Sequence, residues 1–220
     1  DHKFHSWEGG EGKAPRQYVF ALCAMAKAKI DSKEYADAIA LLERTFTYPE
    51  NLGEGKLFGA QENLQNLLLG IAYERSGEPA KANEYFVKAS IGLSQPQSAV
   101  YYNDQPPETI FCQGLALLKL GKANEADLRF DRLIEYADQH MDDEIKIDYF
   151  AVSLPDFLVF DEDLNKQNKV HCLFMKALGL FGKKDHESAS QTLGRAYALD
   201  TYHFGMNSYR ILFMNKGESI

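Results

Sequence analysis

Along most of the chain, apolar and small residues recur at intervals of three and four, in paired blocks separated by a short polar turn. The clearest pair runs from Leu64 to Ala89, where Leu69, Gly70, Tyr73, Ala82, Phe86 and Ala89 fall on the facing sides of two helices. Gly70 and Ala82 lack bulk where the helices must approach, and Tyr73 and Phe86 fill the space beside them. Gly77 ends the first helix, and Glu78-Pro79 opens the second with an acid and a proline in its first turn. An earlier pair is expected from roughly Arg16 to Ile30 and Lys33 to Thr47, with Tyr35, Ala38 and Leu42 in the places of Pro79, Ala82 and Phe86. A third pair carries Ile110, Gly114, Leu117, Gly121, Ala126, Phe130 and Leu133, and a fourth Leu173, Leu180, Ala189, Leu193 and Ala196. The register of the fourth is open between Ala177 and Gly179. Ala38, Ala82, Ala126 and Ala189 stand 44, 44 and 63 residues apart, so the last interval carries an insertion. The amphipathic stretch from Tyr202 to Met214 is expected to be a capping helix, because the end of a helix stack is apolar.

These offsets resemble the tetratricopeptide repeat, whose plain unit is about 34 residues. The resemblance implies an all-α fold, an α-solenoid built as a right-handed superhelix of helix pairs, here with long inter-repeat loops. It divides a single domain, residues 1–220, into repeats at approximately 16–49, 60–92, 107–137 and 167–201, with an insertion at 138–166 and the capping helix at 202–214.

The loops carry the individual features. Gly-Glu-Gly-Lys occurs at 10–13 and again at 53–56, each time ahead of a first helix. The two loops read either as a reused helix start or as a docking edge where Lys13 and Lys56 meet an acidic partner. The second lacks the spacing and the preceding strand of a phosphate-binding loop. The paired Tyr101 and Tyr102 supply contact area at low entropic cost, and read as a contact surface or as a loop folded back on the helices. The insertion holds two apolar clusters between Tyr149 and Phe160, which must pack on the helices or meet a partner.

Charge narrows the partners. The 220 residues carry a net charge of −8 and a pI near 5.3, which argues against nucleic acid. Residues 124–163 alone contribute 13 acids against 3 bases. No apolar run approaches the roughly 20 residues of a membrane span, so no membrane partner is expected. The chain opens at Asp1 with no leader-like segment and reads as a piece of a longer protein. Cys23, Cys112 and Cys172 lie in apolar helical contexts and read as buried thiols of a reducing compartment, which leans to the cytoplasm.

Catalytic and metal readings find little support. His2 and His5 with Glu8 are out of register for a metal, and the Asp161, Asp163, Asn165 series has Lys166 where a calcium loop needs glycine. Glu74, Glu108 and Asp156 are candidate carboxylates by location, but no spacing pairs them, and helix carboxylates are usually solvated surface. No catalytic residue, cofactor or metal is expected, and the chain is read as a non-enzyme.

Three motifs extend the resemblance: Trp7-Glu8-Gly9-Gly10 with Lys13, the run Tyr48 to Lys56, and the run Asp148 to Asp156. They are similar to signatures of a bacterial family of unknown function, in which a mutarotase-like β-sandwich precedes an array of tetratricopeptide repeats. The resemblance implies an interaction or intramolecular scaffold module of a larger, carbohydrate-related protein. The implied partner is the upstream region of the same polypeptide, another protein or a second copy of the chain. The alternative is an all-helical carbohydrate-active enzyme or sugar-binding domain using clustered carboxylates and aromatics. Repeats that clamp peptide carboxylates line their concave face with polar residues. The corresponding positions here include Phe20, Leu64, Leu67, Ile71, Phe111, Leu115, Leu118 and Phe174, with Lys27, Glu74, Glu108 and His171 among them, a mostly apolar face. A hydrophobic occupant is therefore expected, either the insertion or terminal helix of the chain itself or a partner segment.

Overall fold

The structure is a computed structural model that describes residues 2–5, 12–98, 105–145 and 163–213. Every regular element among them is helical. Four helix pairs follow one another: α1 (Lys13–Asp31) with α2 (Tyr35–Glu43), α3 (Asn63–Arg75) with α4 (Pro79–Ser90), α5 (Pro107–Lys119) with α6 (Ala123–His140), and α7 (Leu164–Gly182) with α8 (His186–Leu199). A last helix, α9 (Phe204–Phe213), closes the described chain. The expected helix reaching Thr47 stops at Glu43 and tightens into a 3₁₀ turn, Arg44–Phe46. The Thr45 hydroxyl donates to the Leu42 carbonyl at 2.5 Å, and Pro49 follows shortly, so the α-helical ladder is not continued.

One turn geometry serves all four pairs. Lys33, Gly77, Gly121 and Lys184 take left-handed φ angles of 64°, 84°, 73° and 66°. The next residue in each turn donates its N–H to a carbonyl five residues back: Glu34 to Lys29, Glu78 to Tyr73, Lys122 to Leu117, and Asp185 to Leu180, at 2.9 to 3.0 Å. This pattern ties off the free carbonyls at a helix end and normally favours glycine. At Lys33 and Lys184 a side chain takes the same conformation, at a cost of about 1–2 kcal/mol. The four turns are 44, 44 and 63 residues apart, in step with the buried alanines, and they settle the fourth register on Ala177.

That register exposes a volume rule within the pairs. A Cβ added to Gly70 would lie 2.5 Å from the Phe86 ring, and one added to Gly114 would lie 2.3 Å from the Phe130 ring. The equivalent positions are Ala26 with Leu42 in the first pair and Ala177 with Leu193 in the fourth, all buried. Glycine thus accompanies phenylalanine and alanine accompanies leucine, which keeps the helix-to-helix spacing filled at close to constant volume.

The first helices also form a row, since α1 meets α3, α3 meets α5, and α5 meets α7, while each second helix packs on the next first helix. The core runs through this row without a break, from Ile30 and Leu42 through Leu67 and Phe111 to Phe174 and Leu178. Helix α9 rests on the row. Its Phe204 meets Phe20 of α1 edge-on at 5.4 Å, and its Tyr209 meets Phe111 of α5 at 5.7 Å and Phe181 of α7 at 5.6 Å. No helix among the described residues is long and apolar enough to cross a membrane.

Candidate functional site

Where α9 leans across the row it leaves a cavity of about 480 Å3, bounded by α1, α3, α5, α9 and the loop before α3. Apolar walls come from Val19 and Phe20 on α1, Leu64 on α3, and Leu212 and Phe213 on α9. The volume falls within the about 300–1,000 Å3 of ordinary small-molecule sites. A second depression of about 550 Å3, beside Asn63, Tyr85 and Lys88, is more open. There the Asn63 Nδ2 donates to the Ala89 and Ile91 carbonyls at the end of α4, at 2.8 Å each, while its buried Oδ1 makes no hydrogen bond.

Three polar side chains of the first cavity lack the partners that buried polar groups normally have. Glu108 Oε2, Ser208 Oγ and Tyr209 Oη are sealed from solvent and make no hydrogen bond. Glu108 sits in the first turn of α5, where Pro106 and Pro107 hold the helix start against the row. Burial pushes its carboxyl above the usual range, and the nearby Arg16 guanidinium and the residue's own backbone N–H only partly offset this. Among the described residues no ion pair joins the two. Arg16 lies at the exposed rim with its guanidinium 3.9 Å from the centre of the Phe204 ring.

The seating of α9 depends on two of its own residues. His203 precedes the helix, and its Nδ1 accepts from the Met206 N–H at 3.1 Å, capping the first turn. The half-buried ring lies against Phe174 at 5.3 Å, and its loss of solvation pushes its pKa down to about 4. An acceptor Nδ1 requires the neutral imidazole, which this environment supplies. Gly205 then lies directly over the acid: a Cβ there would come 2.4 Å from Glu108 Oε1 and 2.7 Å from Phe174. Only a residue without a side chain lets α9 settle this close.

The sequence-based candidates are distributed unevenly around this site. Leu64 lines the cavity, while Leu67, Ile71, Phe111, Leu115 and Phe174 are buried in the core, Phe111 and Phe174 against the Tyr209 ring of α9, and Leu118 is half-buried. The two Gly-Glu-Gly-Lys loops touch each other, because the Gly12 N–H donates to Glu54 Oε2 at 2.7 Å, and both border the cavity. Lys56 is tied locally to the Phe46 carbonyl at 2.9 Å and to Glu62 at 2.7 Å, and Lys13 opens α1. Of the candidate carboxylates, Glu74 is paired with Lys119 at 2.7 Å on the surface, whereas Glu108 is not the solvated group its helical position suggests. Tyr101, Tyr102, Asp156, the clusters from Tyr149 to Phe160 and the Trp7 motif lie outside the described residues.

Arg16, His203, Gly205, Ser208 and Tyr209 carry no sequence signal of a site. Only the aromatic character of the last helix marks it for burial. The three cysteines are free and buried; burial pushes the Cys23 and Cys172 thiols up to about 12 and that of Cys112 higher still, which makes them poor nucleophiles. Among the described residues no three His, Cys, Asp or Glu side chains gather as a metal site. No protein-family model matches the chain, and no solved structure matches it.

Proposed function

We propose that this chain is a non-catalytic binding module, a tetratricopeptide-type solenoid whose row of first helices holds an amphipathic helix. In the isolated chain that helix is α9. A single observation carries the reading: Phe204 and Tyr209 of α9 engage Phe20, Phe111 and Phe181, residues drawn from three units of the row. This is the helix-in-groove mode, in which one apolar face is read by anchors spaced along it. The four matching turns and the Gly/Phe and Ala/Leu pairs support a repeat origin for the row. The module serves as an intramolecular scaffold of a larger polypeptide, and the edge formed by the Gly12 and Glu54 loops is where a protein partner reaches the same face.

The test separates the row from its occupant. A chain ending at Asp200 is mixed with a synthetic peptide of residues 202–214. Saturable binding by calorimetry is expected, weakened at least about tenfold when Phe204 and Tyr209 of the peptide are both alanine. A shortened chain that stays monomeric, exposes no dye-binding surface and ignores the peptide would refute the proposal.

A further inference from the structure

We propose that the open depression at the start of α3 docks a non-helical peptide segment of a partner protein, whose backbone carbonyls accept hydrogen bonds from Gln61 and Lys88. The site lies on the edge of the row where first helices begin and second helices end. It is apart from the face that holds α9 and does not depend on that reading.

Alignment of the four units on their left-handed turns brings an amide and a base to the same two places in each. The amides are Gln17, Gln61, Gln105 and Asn168, at or near the start of the first helix, and the bases are Arg44, Lys88, Arg132 and Arg195, at or near the end of the second. Both series step by 44, 44 and 63 residues, as the turns do. The third unit shows what the pair does. There the chain's own connector, leaving α4, crosses it. Gln105 Nε2 donates to the Leu93 carbonyl at 2.7 Å, and Arg132 donates to the Ser94 carbonyl at 3.4 Å and to the Ser94 hydroxyl at 2.7 Å. In the fourth unit Asn168 Nδ2 donates to the His140 carbonyl at the end of α6, at 2.7 Å.

In the second unit the same pair stands open. Among the described residues Gln61 makes no hydrogen bond and Lys88 no ion pair; Lys88 is exposed, its Nζ 4.5 Å from the centre of the Tyr85 ring. The stretch that corresponds to Leu93–Gln97 is Pro49–Gly53, and it takes another path. It forms the 3₁₀ turn Glu50–Leu52 and accepts from the Phe4 N–H at the Asn51 carbonyl, at 2.9 Å. Gln61 and Lys88 are left lining a depression of about 550 Å3, with the Phe46 and Tyr85 rings for an apolar side chain. Glu62 on the same rim is neutralised by Lys56 at 2.7 Å, so Lys88 is the uncompensated charge. An ammonium is a point charge, and where Arg132 meets a serine, Lys88 is best met by a carboxylate. The occupant is thus an apolar residue followed by an acidic one.

The experiment uses the whole chain and two labelled peptides, with binding read by fluorescence anisotropy. One peptide copies residues 92–97, Gly-Leu-Ser-Gln-Pro-Gln, and the other carries aspartate in place of the serine. Saturable binding with a Kd below about 1 mM is expected, the aspartate peptide at least about threefold the tighter. Gln61→Leu should weaken both peptides at least about threefold. Lys88→Gln should erase the preference for aspartate, while Tyr209→Phe, on the α9 face, should leave both affinities within about twofold. No saturable binding of either peptide, binding that neither site variant changes, or a chain that pairs with a second copy in light scattering and ignores the peptides would overturn the proposal. Because Lys88 is exposed, its variant decides the matter even where Gln61→Leu fails to fold.

Discussion

The seam inside each helix pair and the face beneath α9 bury similar residue types but are finished to different standards. In the seam, Gly114 opposes Phe130 with no space for a methyl group, and both residues are fully buried. Beneath α9, large aromatics meet at 5.4 to 6.3 Å around a cavity, and three polar atoms go unsatisfied. The first surface is optimised for one arrangement of its own atoms. The second retains room and unspent hydrogen-bonding capacity, the condition expected of a surface that exchanges occupants.

The widest separation between the two regions should come from Phe130→Ala, which empties the seam and is expected to cost about 3–5 kcal/mol in urea unfolding. Overfilling the same seam with Gly114→Ala should cost less, about 1–3 kcal/mol of strain reduced by about 1 kcal/mol of helix propensity. Adding Phe130→Leu to Gly114→Ala recreates the Ala26/Leu42 pairing and should recover part of that loss; additive losses would refute the volume rule.

On the other side, Gly205→Ala should lift α9 off Glu108 and Phe174, raising dye binding while far-ultraviolet dichroism changes little. The global midpoint should fall by only a few degrees, since the seams are untouched.

His203 and Glu108 should give this face pH dependences of opposite slope. His203 is held near 4, below its unfolded value of about 6.5, so the unfolded state binds more protons in that window. Stability is therefore lost as pH falls from about 6.5 toward about 4, when the imidazolium can no longer accept from Met206. Glu108 is raised, so the folded state holds its proton longer, and stability falls as pH climbs above the ordinary carboxylate range. Facing it are Arg16 from α1 and Gly205 from α9, with Cys112 on its own helix. Melting temperatures of Glu108→Gln and the unmodified chain should diverge with rising pH, the variant becoming relatively more stable. The smallest effect belongs to Tyr209→Phe, expected within about 1 kcal/mol and on the stabilising side, because the hydroxyl it removes has no partner.

The seams are legible in the sequence because they rest on local rules. Gly70, Gly77, Gly114 and Gly121 are each required by a close approach or a left-handed turn, and such requirements repeat along the chain. Ala26 reads as a weaker match until the turns are aligned, which brings its compensating partner, Leu42, into view. The cavity is not legible in the same way, since it is made by α9 meeting α1 across almost the whole length of the chain. Glu108 illustrates the difficulty. In sequence it is one of three candidate carboxylates that no spacing pairs, expected to be solvated, and the close approach of α9 at Gly205, nearly a hundred residues away, covers it. Arg16 similarly reads as a helix-start cation until Phe204 arrives beneath it.

The path of α9 also changes how the chain must fold. In a linear array each unit contacts only its neighbours, so units can form and fray almost independently. By reaching from α7 back to α1, α9 joins the last unit to the first and couples their melting into one cooperative transition. These contacts span nearly the whole described chain in sequence. They cannot form until the row exists, which makes docking of α9 a late step of folding.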